Sequence, residues 1–293
     1  MYIVRLMGGM GNQMFQYAVA RSLSLRTGVE FKMDRWFLDR RPRRPRYVLR
    51  NYDLGVFRIR EQFASPVEVL RHRGVLGQRR HHVLWSSILS AAGLVRVYRE
   101  RSTRFDASVL SLPDGTYLEG YFQSPCYFAD FAEEIRTDFT LKSPLPEASQ
   151  ELAREVESSP SVCLHVRRTD YALTSYHGVC SSDYYRDGVK LITDKVGPVR
   201  VFVFSDDLAW CRANIALAAE VRLVEQEHAG PQSEHHLNLM TRCKHFIISN
   251  SSFAWWAAWL SRATGKVVVA PRVWFAGPQD PMDDLIPKGW HRL

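Results

Sequence analysis

No apolar run in this 293-residue sequence is long enough to cross a bilayer. The longest, Val83 to Val95, is interrupted by serines and a glycine, whereas a membrane helix needs about 20 apolar residues. The opening Met1-Tyr2-Ile3-Val4-Arg5-Leu6 is too short for the core of a secretion signal and carries an arginine. Both absences argue against secretion and membrane spanning, and a cytoplasmic location is expected. The five cysteines, Cys126, Cys163, Cys180, Cys211 and Cys243, are odd in number, scattered, and without a CxxC pair. Disulfide frameworks and zinc sites need closer, paired spacing, so these are read as buried thiols in a reducing compartment. Two nucleotide-loop signatures also fail. Counting G-x-G-x-x-G from Gly9 puts Met14 at the third glycine, and no lysine follows as a phosphate loop requires. The Asp-Asp pairs at 206–207 and 283–284 have no histidine or third carboxylate at ligand spacing, so no metal is expected. No internal repeat and no zinc-finger or RNP signature is present, and no nucleic-acid partner is expected.

What is present is the composition of an ordinary globular enzyme, 46% hydrophobic and 24% charged. The net charge of +8 is unevenly spread: between Arg35 and Arg104 stand 17 Lys and Arg against 5 Asp and Glu. This segment includes Arg40-Arg41-Pro42-Arg43-Arg44-Pro45-Arg46. The plain reading is a solvated arginine-rich loop; the sharper one is a basic face that meets either an acidic glycan or anionic lipid, the latter as peripheral contact with an inner membrane.

The N-terminus reads as a strand, Tyr2 to Leu6, then a turn, Gly8-Gly9-Met10-Gly11-Asn12-Gln13, then a helix from Asn12 to Arg26. Glycines at a strand-to-helix turn let a ligand approach the backbone, at a helix end that favours negative charge. Asn12 is either the helix cap or a ligand contact. A second strand is expected at 29–33. Little is assigned through the arginine-rich segment. A strand follows at 116–123, then a helix from Pro125 to Arg136. Leu141 to Pro146, with two prolines, is the best linker. The second half alternates regularly: strands at 161–166, 200–204, 221–224, 245–249 and 266–270, helices at 182–195, 207–218, 233–242 and 252–263. This is the pattern of a doubly wound parallel sheet.

In such sheets ligands bind beyond the carboxyl ends of the strands. Three of those ends are polar. After Ser161-Val162-Cys163-Leu164 comes His165-Val166-Arg167-Arg168-Thr169-Asp170-Tyr171. Guanidinium groups pair bidentately with phosphate oxygens at any working pH, so Arg167 and Arg168 suit a diphosphate, with the aspartate fixing their rotamers. A solvated Arg–Asp pair is the plain alternative. After Phe204 come Ser205-Asp206-Asp207, whose carboxylates could receive a base's N–H groups or cap the next helix. After Ile248 come Ser249-Asn250-Ser251-Ser252, more polar residues than a cap needs, which favours phosphate. Trp255, Trp256 and Trp259 are read as helix core rather than as a sugar-stacking platform.

Four motifs together resemble a known family. Gly8-Gly9-Met10-Gly11-Asn12-Gln13-Met14-Phe15-Gln16-Tyr17-Ala18 is similar to the opening of the bacterial α-1,2-fucosyltransferases (glycosyltransferase family 11). His165 to Tyr171 resembles the HxRRxD motif which that family shares with α-1,6- and protein O-fucosyltransferases. Gly120-Tyr121-Phe122-Gln123-Ser124 and Ile248 to Leu260 also resemble the α-1,2 family. The motifs stand in family order from residue 1 to about 275, and no family motif falls in 35–104.

The resemblance implies an α/β, GT-B-like fold of two Rossmann-type domains with a cleft between them. Residues 1–150 would form the acceptor-side domain and residues 151–293 the donor-binding domain. It implies transfer of L-fucose, with inversion and without a metal or other cofactor, from GDP-β-L-fucose to the 2-hydroxyl of a terminal β-galactoside, with a galactose-terminated oligosaccharide as acceptor. Arg167 would hold the β-phosphate as GDP departs, and Arg168 and Asp170 would shape the same pocket. His165 and Asp206 would face the guanine. Asn250, Ser251 and Ser252 would lie on the nucleotide-sugar, the serines donating to phosphate. Gly11 and Asn12 would reach towards the leaving oxygen or the fucose. The general base stays open among Asp170, His177 and Glu119, with Asp170 preferred; the glutamate that α-1,6 relatives carry five residues after the motif aspartate is Ser175 here. An inverting fucosyltransferase of another linkage, or a GDP-sugar-binding protein without catalysis, are the alternatives.

Overall fold

The computed structural model describes residues 1–39, 50–75, 80–169, 171, 178–276 and 284–293. The chain divides into two compact units, Met1–Lys142 with Asp280–Leu285, and Ser143–Gln279 with Ile286–Leu293. Each is built on a parallel sheet, which buries both faces of its strands and so favours near-continuous apolar strand sequences.

In the first unit β1 is Tyr2–Arg5, α1 Met10–Thr27, β2 Phe31–Asp34, α2 Trp36–Asp39, α3 Pro66–Arg73, α4 Arg80–Ala91, β3 Arg96–Arg99, β4 Thr116–Glu119 and α5 Ala132–Asp138. The sheet order is β2-β1-β4-β3, with Tyr2 opposite Phe31 and Val4 opposite Leu118. All of Met10–Ser24 except Asn12 is buried, so α1 is a core element rather than a surface helix. It ends on Gly28, whose left-handed backbone (φ 72°) lets its N–H reach the Ser24 carbonyl.

Three expectations need correction here. The strand expected over 116–123 stops at Glu119, because Phe122 takes a left-handed backbone (φ 51°). The single helix expected from Pro125 is two short 3-10 turns, Pro125–Tyr127 and Ala129–Phe131, before α5. Phe128, at φ −136° and ψ 19°, interrupts the helical run. The arginine-rich stretch holds more structure than its sequence suggested: α3, α4 and β3. The Ser65 side chain caps α3 and Glu68 reaches back to the Ser65 N–H, a reciprocal cap legible in the residues themselves. The run Arg40–Arg46 lies outside the described residues.

The second unit holds α6 Glu147–Ser158, β5 Ser161–Val166, α7 Ser182–Val196, β6 Arg200–Ser205, α8 Leu208–Asn214, β7 Glu220–Leu223, α9 Glu234–Thr241, β8 His245–Ile247, α10 Ser252–Leu260, β9 Val268–Ala270 and β10 His291–Arg292. The alternation agrees with the sequence, with α8 shorter because Ile215 is extended (φ −93°, ψ 90°). Helix α6 was missed, although Ser149, Leu152, Ala153 and Val156 give a buried face at helical spacing. The tryptophans are core, as expected: Trp255 and Trp256 are fully buried and meet edge to face, and Trp255 stacks on Trp259. The cysteine reading fails at Cys126, which is exposed; Cys163, Cys211 and Cys243 are buried. No helix among the described residues is long and apolar enough to cross a membrane.

The six-stranded sheet runs β10-β9-β8-β5-β6-β7, every pair parallel. From β5 the chain builds outward through β6 and β7, then returns to place β8 on the other side of β5. Successive connections therefore leave in opposite directions from β5 and β8. Their carboxyl ends form the topological switch point at which open α/β sheets bind ligands.

Candidate functional site

The polar groups singled out in the second half of the sequence converge on that switch point. His165, the penultimate residue of β5, is buried at 7% exposure, and its Nδ1 lies 2.8 Å from Ser249 Oγ, just beyond β8. This bond ties the two sides of the switch point together. Burial, the dominant influence, pushes the His165 imidazole down to about 3, with Arg167 adding to the depression and Asp206 opposing it. The ring is therefore neutral at physiological pH, with one nitrogen a donor and the other an acceptor.

Arg167 and Arg168 follow the end of β5, both half-buried. Asp206, at the end of neighbouring β6, straps this loop down. One carboxylate oxygen accepts from the Arg168 N–H at 2.9 Å; the other accepts from Thr169 Oγ1 at 2.5 Å and the Thr169 N–H at 3.3 Å. Arg167 Nη1 stands 3.2 Å from the same carboxylate and its guanidinium lies 5.5 Å from the Tyr171 ring centre. Arg168 stacks on Trp210 at 4.1 Å, with Nε 3.7 Å from Asp207. Asp207 caps α8 by accepting from the Trp210 N–H at 3.0 Å. The two aspartates thus divide the alternatives: Asp207 is the cap. Asp206, read from sequence as facing a base, has both oxygens committed to the arginine loop. Asp170 and His177 lie outside the described residues.

Beyond β8 the chain turns sharply, Ser251 N–H donating to the Ser249 carbonyl at 2.7 Å, and enters α10. Ser251 occupies the cap position, yet its side chain makes no capping bond. The first N–H groups of this nine-residue helix follow the carboxyl end of β8, the strand beside β5, a setting for an anion. Asn250 is buried, its side-chain NH2 donating to the Trp274 carbonyl at 3.0 Å and the Gly178 carbonyl at 3.5 Å, which makes it an anchor for flanking loops.

In the first unit the carboxyl ends of the adjacent parallel strands β1 and β4 lie side by side. The Gly8 backbone (φ 78°) opens the turn, and a Cβ there would come within 2.4 Å of Asn12 Nδ2. Gly9, not Asn12, is the cap position of α1; Gly11 and Asn12 lie in its first turn. Asn12 Oδ1 accepts from Gln123 Nε2 at 2.7 Å, joining the Gly8–Ala18 and Gly120–Ser124 motifs. Gln13 is buried and donates to the Gly8 and Asn51 carbonyls at 2.9 and 2.8 Å. Gln16 does the same work, accepting from the Met7 N–H and donating to the Gly120 carbonyl.

Sequence reasoning missed Glu100. Its carboxylate accepts the Tyr121 and Phe122 N–H groups at 2.6 and 2.9 Å, and burial raises its pKa against these bonds. It holds Phe122 in its left-handed backbone, and a Cβ at Gly120 would approach the Glu100 Cβ within 2.5 Å. Glu119, a candidate base, is instead bound to Arg5, Arg73 and Arg99. Among the described residues no cluster of His, Cys, Asp and Glu could hold a metal ion.

The family model described as Glycosyl transferase family 11 matches residues 80–293. This chain belongs to glycosyl transferase family 11. An alpha-1,2-colitosyltransferase of Escherichia coli is 28% identical, over 99% of this chain and 98% of its own length. A galactoside alpha-(1,2)-fucosyltransferase 1 of Leontocebus fuscicollis is 31% identical over 49% of this chain and 42% of its own. Among solved structures, fucosyltransferase NodZ from Bradyrhizobium aligns with TM-score 0.51 at 18% identity, covering 87% of this chain and 91% of that one. At that identity the likeness speaks to the fold alone.

Proposed function

We propose that this glycosyltransferase moves L-fucose from GDP-β-L-fucose to the 2-hydroxyl of a terminal β-galactoside, with inversion and without a metal. The observation that carries the reading is the arginine loop after β5, strapped by Asp206 beside the uncapped N-terminus of α10 at the β5/β8 switch point. Arg167 holds the β-phosphate and meets the charge that grows as the sugar–phosphate bond breaks. Fixed donors aimed at developing charge lower such barriers by a few kcal/mol in comparable sites. A fixed guanidinium supplies positive charge where other transferases use a cation, which is why no cofactor is assigned.

In the proposed step the acceptor's 2-hydroxyl oxygen attacks the anomeric carbon as the bond to the β-phosphate oxygen breaks and GDP leaves with that electron pair. Asp170 is the proposed acceptor of the hydroxyl proton, which needs a base within hydrogen-bond reach. Arg168, Ser251 and Ser252 are assigned to the diphosphate, His165 to the nucleotide side through its second ring nitrogen, and Gly11 and Asn12 to the sugar. Asp206 and Asn250 act one step back, by positioning the loops that carry these groups.

The fucosyl donor and galactoside acceptor are supported by the name of the Leontocebus relative, and the α-1,2 linkage by both relatives' names. The full-length similarity to a colitosyltransferase favours one second reading, a colitosyl donor on the same machinery.

The test is GDP release from GDP-fucose, with and without lactose, in EDTA, for wild type and Arg167→Ala, with GDP-colitose as a parallel donor. Lactose-stimulated release that survives EDTA and collapses in the variant is expected, and product NMR then shows the linkage. Faster turnover of GDP-colitose replaces the donor assignment. Donor binding without release on any β-galactoside removes the acceptor assignment, and loss of activity in EDTA removes the metal-free mechanism.

A further inference from the structure

Large apolar side chains left exposed on this protein are not evenly distributed. Val67, Leu70, Leu84, Trp85, Ile88 and Leu94 all fall within one stretch of the first unit, on α3, α4 and the turn into β3. On α4, Leu84, Trp85 and Ile88 are 63%, 57% and 48% exposed. Their spacing puts them on one helical face, which His81 and Ala91, also exposed, extend by a turn in each direction. Turned inward are Ser86, fully buried, whose hydroxyl accepts from Arg99 Nη2 at 2.5 Å, and the half-buried Val83 and Leu89. Helix α4 therefore packs Val83, Ser86 and Leu89 inward and leaves a second apolar stripe, Leu84, Trp85 and Ile88, facing outward. A contiguous apolar face of this kind marks an interaction surface.

The charge of the same stretch selects the partner. From Pro66 to Arg104 the only acidic residues are Glu68 and Glu100. Both are engaged within the fold, Glu68 with Lys32 and the α3 cap, Glu100 with the Tyr121 and Phe122 N–H groups. Arg71, Arg96, Arg101 and Arg104 are exposed. A second copy of this chain would bring the same excess of arginine over acidic residues to this stretch, with Asp106 beside Arg101 as a nearby carboxylate. A surface of anionic lipid headgroups supplies the opposite charge to the arginines and an apolar layer to Leu84, Trp85 and Ile88. Tryptophan suits the boundary between the two, since its ring is apolar and its N–H polar.

We infer that the outward face of α4, with the exposed arginines of the same stretch, is a docking surface for an anionic lipid bilayer. The helix lies in the interface plane rather than crossing it, since its 12 residues are too few to span. The surface goes beyond the transfer reaction and does not depend on the identity of donor or acceptor.

The full-length protein is floated with vesicles of phosphatidylcholine alone or with about 30 mol% phosphatidylglycerol, as wild type, as Leu84→Ser/Trp85→Ser/Ile88→Ser, and as Arg96→Gln/Arg101→Gln. These side chains are exposed, so thermal unfolding should stay within a few degrees of wild type. Wild type is expected to float only with the anionic vesicles. The apolar triple variant should lose on the order of 100-fold in partitioning. The arginine variant should lose about tenfold, and raised salt should weaken wild-type binding. GDP release with soluble acceptor should be unchanged in both variants. Equal flotation with neutral vesicles, no flotation with either, or flotation indifferent to the triple variant each overturns the proposal. So does self-association in analytical ultracentrifugation that the triple variant abolishes, which would make a second copy the occupant.

Discussion

Asp206→Asn preserves the shape of the strap across the β5/β6 edge and removes its charge. The native carboxylate takes the Arg168 N–H on one oxygen, the Thr169 hydroxyl and N–H on the other, and an ion pair with Arg167. An asparagine keeps one acceptor oxygen and turns an NH2 towards groups that also donate. Losing a charged acceptor from a hydrogen bond costs about 1.5–3 kcal/mol. The Arg167 pair is part-exposed, with side chains at 24% and 19%, so solvent screening limits its share to about 1 kcal/mol or less. Unfolding free energy should therefore fall by about 2–3 kcal/mol. If the strap works by aiming Arg167, kcat for GDP release should fall by about 10²-fold. The decisive assay is a cycle with Arg167→Ala, read by steady-state kinetics and urea unfolding. The double variant should be hardly slower than Arg167→Ala alone, because the strap has nothing left to aim. Rate losses that multiply, or an Asp206→Asn enzyme within about threefold of wild type, would refute the positioning role.

Three further expectations rest on separate observations. His165 and His236 are buried with pKa values pushed down by burial to about 3 and about 4, below the ordinary unfolded value near 6.5. Between those values the unfolded chain binds more protons, so their contribution is full above about 6.5 and is lost as pH falls. Near pH 5.5 each should cost up to about 1.4 kcal/mol, removed for His165 by His165→Gln, as measured by urea unfolding at stepped pH. Glu119→Gln leaves Arg5, Arg73 and Arg99 around a neutral group and should destabilise by about 3–5 kcal/mol. If Glu119 were instead the general base, stability would hold while kcat collapsed. Gly8→Ala must strain a left-handed backbone and displace the Asn12 side chain. A stability loss of about 1–2 kcal/mol with a larger fall in kcat/KM is expected, and unchanged kinetics would remove Asn12 from the sugar's surroundings.

The sequence alone determined what local pattern can determine. Strand β5 and the regular helices and strands after it were legible because parallel strands are short apolar runs and helices announce themselves by period and cap. The carboxyl-end rule then marked Arg167, Arg168 and Ser249–Ser252 as one neighbourhood before any coordinates. Helix α6 was equally legible at Ser149, Leu152, Ala153 and Val156, directly after the prolines at 144 and 146 that read as a linker. Only the tertiary structure decided the rest, because it depends on contacts between residues far apart in the chain. No local pattern says that His165 binds Ser249 or that Asp206 straps the arginine loop. Nor could it show Gln123 meeting Asn12 across 111 positions, or Glu100 holding Phe122 in a left-handed turn. The outward apolar face of α4 is the clearest case. Periodicity shows that a helix has an apolar stripe, and only packing against Arg99 through Ser86 shows which way that stripe points.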